Sequence, residues 1–267
     1  MKQFCLILII FSAISCEKQT LEIDTEFHVI LIMGQSNTLA GKGLDPTIDS
    51  VSDGILQLGR HEGNNLEIID AVEPLHHHTY GGDRIGFGLT FAKLLNNYWD
   101  KTKDIIIIPC GKGGTGFGTN YWNKGDELYE DALYRTNYIL TTFQNSKITA
   151  ILWHQGEDDI GKPEFQQNLD NFIVNIRKDL GFDSIPFILG GMVPNWVNEK
   201  DSRINQQNIL KNTPERLGFV GYADPTIPFI IENKNYNDEK IHYDAEAQRI
   251  LGQRYFNEFK RIMELFP

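Results

Sequence analysis

Short apolar runs alternate with longer amphipathic stretches from residue 27 onward. Val29–Met33 is a continuous run of branched and large apolar residues, too short to span a bilayer and suited to a strand covered on both faces. Ile105–Cys110, Lys147–Trp153, Ile185–Leu189 and Leu217–Tyr222 read the same way, with shorter extended pieces at Ile55–Leu58 and Leu66–Ile69. Between these runs the spacing turns helical. Phe87, Phe91, Leu94, Leu95 and Tyr98 share a face within Gly86–Trp99, and Leu128, Ala132, Tyr134, Tyr138 and Leu140 lie along Asp126–Phe143. Pro163 opens a helix to Leu180 with Phe165, Leu169, Phe172, Ile173 and Ile176 on its apolar side. Ser202–Asn212 is a polar helix, and Asp244–Leu265 closes the chain with Ala247, Ile250, Leu251, Tyr255, Phe256 and Phe259. This alternation predicts an α/β domain, a central mostly parallel sheet with helices on both sides. Neither a repeat nor a Pro/Ser-rich linker divides it, so residues 27–267 read as one domain.

Residues 1–16 stand outside that pattern. Lys2, the apolar run Phe4–Phe11 and the small residues before Cys16 read as a signal for export. Its end, Ser12-Ala13-Ile14-Ser15-Cys16, resembles the lipobox of bacterial lipoproteins, which implies a lipid anchor at Cys16 and a periplasmic or cell-surface location. Residues 17–26 then form a short tether. Of the 3 cysteines, Cys5 and Cys16 lie in the leader, so Cys110 has no partner for an internal disulfide and reads as a buried small hydrophobe.

Charge narrows the partners. With 25 basic and 36 acidic residues the formal net charge is −11. No basic patch interleaved with aromatics occurs, which argues against a nucleic-acid partner. A polyanionic substrate would be repelled, a neutral or weakly charged one would not.

Polar, glycine-containing segments follow two of the buried runs, and parallel sheets gather such segments along one edge. The first is Gly34-Gln35-Ser36-Asn37; the other is His154-Gln155-Gly156-Glu157, directly after Trp153. Asp83-Arg84-Ile85-Gly86 precedes the first helix, and His242 sits just ahead of the last, behind Asn237-Asp238-Glu239. A serine nucleophile needs a base, a carboxylate to orient that base, and donors for the developing oxyanion. The chain offers Ser36; then His154 or His242; then Glu157, Asp238 or Glu239. His242 is the better base, because a loop at a helix start can swing its ring over a strand end. Candidate oxyanion donors are the N–H groups of Ser36 and Gly86 and the side-chain amide of Gln155.

The paired Gly34-Gln35-Ser36-Asn37 and Trp153-His154-Gln155-Gly156-Glu157 blocks, with His242, resemble the SGNH/GDSL hydrolases. The resemblance is closer to their sialate O-acetylesterase-like and family 6 carbohydrate esterase (acetyl xylan esterase) branch. Gly86–Ala92, Gly113-Gly114-Thr115, Trp122 and Tyr243–Gly252 also fall where that branch has like residues. The resemblance implies a flavodoxin-like three-layer sandwich and a serine esterase that removes acetyl groups from an acetylated carbohydrate, with neither metal nor cofactor. It implies Ser36 as nucleophile, His242 as base, and an oxyanion hole of Ser36 N–H, Gly86 N–H and Gln155 Nε2. Asn37, Arg84, Trp122 and His154 are the candidate substrate contacts. The chain departs from the wider pattern where an aspartate is expected three residues before the histidine: position 239 is Glu, and Asp238 is one residue further away. Some similar esterases use the glutamate of the second block, so the expected order is Glu157, then Glu239, then Asp238.

Two features point elsewhere. Gly111-Lys112-Gly113-Gly114-Thr115-Gly116 matches a dinucleotide fingerprint, but no helix opens from it and no acidic residue closes a following strand. His76-His77-His78 could suggest a metal, but three adjacent histidines without further ligands read as surface loop. Rival functions are a lipid-anchored carbohydrate-binding module whose chemistry has lapsed, and a short-chain lipase or thioesterase of the same superfamily. Ser36, Gln155 and His242 together speak against the first. A mean hydropathy of −0.32 and the lack of a long apolar lid segment favour a short acyl group over the second.

Overall fold

The computed structural model describes residues 24–61, 63–234 and 239–266. The leader with Cys16, most of the tether, and Asp238 lie outside the described residues. Among the described residues the strands are, in order, β1 (Phe27–Gly34), β2 (Gly41–Lys42), β3 (Ile55–Leu58), β4 (Ile68–Asp70), β5 (Arg84–Ile85), β6 (Asp104–Pro109), β7 (Lys147–His154), β8 (Phe187–Gly190) and β9 (Val220–Ala223). The helices are α1 (Gly88–Tyr98), α2 (Glu127–Thr142), α3 (Phe165–Asp179), α4 (Pro194–Val197), α5 (Asp201–Lys211), α6 (Thr213–Arg216) and α7 (Ala245–Leu265).

Seven strands make the central sheet in the order β4-β3-β6-β1-β7-β8-β9, parallel except for β4 at one edge. β1 is buried at every residue, which is why its sequence is apolar without alternation. Helices α1 and α7 pack together on one face, and α2 and α3 on the other. The result is the α/β three-layer arrangement expected from the alternation of strands and helices. Gly252 of α7 allows close contact with α1, since a Cβ there would lie 2.7 Å from Phe87 O. Beside it, Phe87 and Tyr255 stack at 4.2 Å between ring centroids.

After β1 the chain builds the sheet outward on one side, returns to β6, and then crosses to β7 on the other side of β1. The carboxyl end of β1 therefore stands at the topological switch point, where open α/β sheets form a crevice. A separate two-stranded ribbon, β2 against β5, pairs Gly41 with Ile85 and Lys42 with Arg84.

Some expectations need correction. His77 is buried rather than on a surface loop, and its Nδ1 accepts the Gly111 N–H at 2.9 Å, pinning the segment before β5 to the loop after β6. Tyr98 and Tyr134 are exposed, so the buried side of α2 runs instead through Leu128, Ala132, Thr136 and Ile139.

One buried cation holds the starts of β8 and β9. Arg177 at the end of α3 donates to the carbonyls of Ile185, Gly218 and Phe219 at 2.6–2.9 Å. Burial lowers its guanidinium pKa to about 10. Arg177→Met leaves the Ile185 and Gly218 carbonyls without that donor, and each such loss costs roughly 1–3 kcal/mol. Urea unfolding is expected to show a stability lower by ~2–5 kcal/mol, with turnover of the folded fraction unchanged.

Candidate active site

The end of β1 is laid against the end of β7 more closely than any residue but glycine allows. Gly34 has φ +127°, and a Cβ there would stand 2.1 Å from His154 O. Gln35 N–H then donates to that same carbonyl at 2.8 Å. Ser36–Thr38 follow as a single 3₁₀ turn, closed by Thr38 N–H on Gln35 O and Leu39 N–H on Ser36 O. The turn buries Asn37 and Thr38 and leaves Ser36 half-buried at the rim.

Asn37 brings in the other half of the site. Its Nδ2 donates to Ile241 O at 3.0 Å and its Oδ1 accepts Tyr243 N–H at 3.0 Å, gripping the backbone on both sides of His242. Gln248 of α7 donates to Asn37 O at 2.9 Å. Asp244 caps α7 by accepting Ala247 N–H. Held this way, His242 Nε2 lies 2.9 Å from Ser36 Oγ, and Nδ1 lies 2.8 Å from Glu239 Oε1. Arg84 Nη1 donates to both Glu239 oxygens, at 3.0 and 2.9 Å, and to Ala40 O at 2.7 Å. Burial alone would raise the Glu239 carboxyl pKa, but Arg84 and His242 outweigh it and hold the group below the usual carboxylate range.

The arrangement is a serine, an imidazole and a carboxylate in hydrogen-bonded series. It revises several expectations. Glu157, expected first as the orienting carboxylate, is turned to the buried side of the turn, where its Oε1 accepts Asn37 Nδ2 at 2.7 Å. Glu239 occupies the place at His242 instead. Burial pushes the Glu157 carboxyl up, but His154, 3.6 Å away, and Asn37 bring it below its ordinary value. Asn37 and His154, expected as substrate contacts, are fully buried, Asn37 in hydrogen bonds to Glu157, Ile241 and Tyr243 and His154 between the ends of β1 and β8. Trp122 is core: fully buried, it donates Nε1–H to Thr115 Oγ1 and meets Trp153 edge-on. Arg84 is committed to Glu239 rather than facing substrate alone.

Gly86 is also displaced from its expected role. Its N–H donates to buried Glu73 at 3.3 Å, and a Cβ there would meet Thr38 O at 1.9 Å, so this glycine serves close packing. Desolvation raises the Glu73 pKa to about 8. Gly113 is the glycine that borders Ser36: a Cβ there would lie 3.9 Å from Ser36 Cβ. Lys112 N–H fastens this loop to Gly34 O at 3.0 Å, and Gly113 N–H donates to the exposed Thr79 hydroxyl at 3.1 Å. The sequence signal was a glycine-rich loop after the run that pairs with β1. Gln155 is fully buried, and its Nε2 donates to Asp159 Oδ2 at 2.7 Å.

In the fingerprint-like loop the N–H groups of Gly111, Lys112 and Gly116 are spent on His77, Gly34 O and Thr119, and just beyond it Phe117 and Gly118 N–H both donate to Asp159 at 2.8 Å. Among the described residues no three His, Cys, Asp or Glu side chains group to hold a metal ion.

The chain is 30% identical over 183 residues to a probable carbohydrate esterase of Arabidopsis thaliana, a match spanning 60% of this chain and 67% of that protein. That protein's solved structure superposes with TM-score 0.71 at 26% identity, covering 88% of this chain and 98% of the other. A probable 9-O-acetyl-N-acetylneuraminic acid deacetylase of Escherichia coli (strain K12) is 25% identical over 198 residues, 58% of this chain and 61% of that protein. The chain thus spans about two thirds or less of the curated relatives it matches. In fold it is similar to the solved structure of NanS, with TM-score 0.76 at 18% identity, covering 92% of this chain and all of that one. The family model described as carbohydrate esterase, sialic acid-specific acetylesterase (SASA) matches residues 26–261. The chain belongs to that SASA family, and with it to the carboxylic ester hydrolases.

Proposed function

We propose that this protein is a serine O-acetylesterase that removes acetyl groups from an acetylated carbohydrate through an acetyl-serine intermediate. The observation that carries the reading is the unbroken series from Ser36 Oγ to His242 (2.9 Å) and from His242 to Glu239 (2.8 Å). Ser36 Oγ attacks the acetyl carbonyl carbon while His242 Nε2 takes its proton. Glu239 keeps Nδ1 protonated and offsets the imidazolium charge. The tetrahedral intermediate collapses, the imidazolium gives its proton to the departing sugar oxygen, and the acetyl group remains on Ser36. Water then attacks that ester with His242 again as base, releasing acetate and restoring the serine.

The oxyanion is held by the N–H groups of Ser36 and Gly113 and by the second amide proton of Gln155. Ser36 N–H donates to no group among the described residues, and Gly113 N–H is held only by an exposed hydroxyl that can rotate away. A donor of this kind contributes about 2.7–4 kcal/mol to the transition state. The family description and the name of the Escherichia coli relative favour a sialate-type acetyl ester over xylan. The leader ending in Cys16 supports export with a lipid anchor. Labelling of cells with a fatty-acid analogue is expected to tag the wild type and not Cys16→Ala.

Ser36→Ala is expected to reduce p-nitrophenyl acetate turnover by roughly 10⁴-fold or more while leaving the melting temperature close to wild type. Full activity in that variant would sink the proposal. Glu239→Gln is expected to lower kcat by roughly 10²–10⁴-fold through loss of the orienting charge. Glu157→Gln acts on packing rather than on the imidazole, so its effect should fall on thermal stability, with kcat of the folded enzyme within about 3-fold of wild type.

A further inference from the structure

We propose that Arg84 is a positioning residue, a guanidinium clamp that makes a glutamate serviceable at a place where the wider superfamily carries an aspartate. The inference rests on the reading of Ser36, His242 and Glu239 as the reacting series. Glutamate has one more rotatable bond than aspartate, and a half-exposed side chain held only by an imidazole would sample several rotamers. Glu239 and Arg84 are 28% and 32% exposed at the side chain, so burial does not immobilise this carboxylate. The clamp does. Arg84 Nη1 reaches both carboxylate oxygens, and Oε1 is shared between that nitrogen and His242 Nδ1. Both contacts bear on one oxygen and fix the direction in which it faces the ring.

Arg84 is itself held. It lies in β5, paired with Lys42 of β2, and the same Nη1 is anchored by Ala40 O at 2.7 Å. The β2–β5 ribbon in turn packs on α7: a Cβ at Gly41 would stand 2.5 Å from the Gln248 side chain. That same glutamine donates to Asn37 O, so the ribbon and the serine turn are fastened to one residue. The small ribbon, apart from the main sheet, is thereby the mount for the clamp.

The alternative is that Arg84 binds a carboxylate on the substrate directly, and a double-mutant cycle separates the two. Wild type, Arg84→Met, Glu239→Gln and the double variant are assayed on p-nitrophenyl acetate, which carries no carboxylate, and on 9-O-acetyl-N-acetylneuraminic acid. Expected on the neutral ester is a kcat loss of about 10-fold or more in Arg84→Met with KM little changed, and a further loss below about 2-fold when Glu239 is already Gln. Arg84→Lys, which keeps the charge but not the planar guanidinium held by Ala40 O, is expected to recover part of kcat and carries the comparison if Arg84→Met does not fold. Equal losses in both backgrounds, or an unchanged kcat in Arg84→Met, would overturn the clamp. A rise in KM confined to the sialic acid ester would also overturn it, in favour of direct binding. Undiminished activity in Glu239→Gln would instead remove the series on which the clamp rests.

Discussion

One buried side-chain amide joins the parts of this molecule that must meet. Asn37 bonds Glu157, Ile241 and Tyr243 through its side chain and Gln248 through its carbonyl, linking segments 120 and more than 200 positions away in sequence. Three of the four bonds are buried, where an unmade partner costs far more than it does at the surface. Glu157 makes the arrangement hard to give up. Its buried carboxyl has Asn37 as its close donor, and leaving such a group without its hydrogen bond costs roughly 1–3 kcal/mol or more. The serine turn, the end of β7 and the approach to α7 are therefore held as one body. The distance between Ser36 and His242 is set by the backbone on either side of the imidazole.

Much of the fold was legible from the chain. The parallel strands β1, β6, β7, β8 and β9 declare themselves because a strand covered on both faces has no reason to alternate, and the helices α3 and α7 show their apolar sides at the predicted residues. Ser36 and His242 could be named as candidates, the first after a buried run and a glycine, the second ahead of a capped helix. What pattern does not carry is which of several polar groups faces which. Glu157, Glu239 and Asp238 are all placed plausibly by spacing, and only the hydrogen bond from Asn37 turns Glu157 away from the imidazole. Gly86 and Gly113 look alike in sequence; the Gly86 N–H faces a buried carboxyl, while the Gly113 Cα stands beside the serine and its N–H meets the exposed Thr79 hydroxyl. The two-residue strands of the ribbon are too short for any periodicity, so Arg84 could be seen as a candidate but not as the partner of Glu239.

The acidic surplus of the chain has a local counterpart. Two carboxylates near the site have fixed partners: buried Asp159 takes the N–H groups of Phe117 and Gly118 and the Gln155 amide, and half-buried Glu239 takes a guanidinium. The backbone donors just after the glycine-rich loop are consumed in this way and do not cradle a phosphate. The likeness to a nucleotide fingerprint lies in the glycines alone, whereas binding depends on where the N–H groups point.

The position of His242, two residues ahead of the capping Asp244 of α7, bears on how the molecule comes into being. A chain with β1 already paired to β6 and β7 still lacks the imidazole that lies 2.9 Å from Ser36 Oγ, however native its sheet. That contact exists only when the segment ahead of α7 is in place and the helix is seated against α1. On the proposed mechanism, turnover would therefore report the seating of the last helix as well as the chemistry.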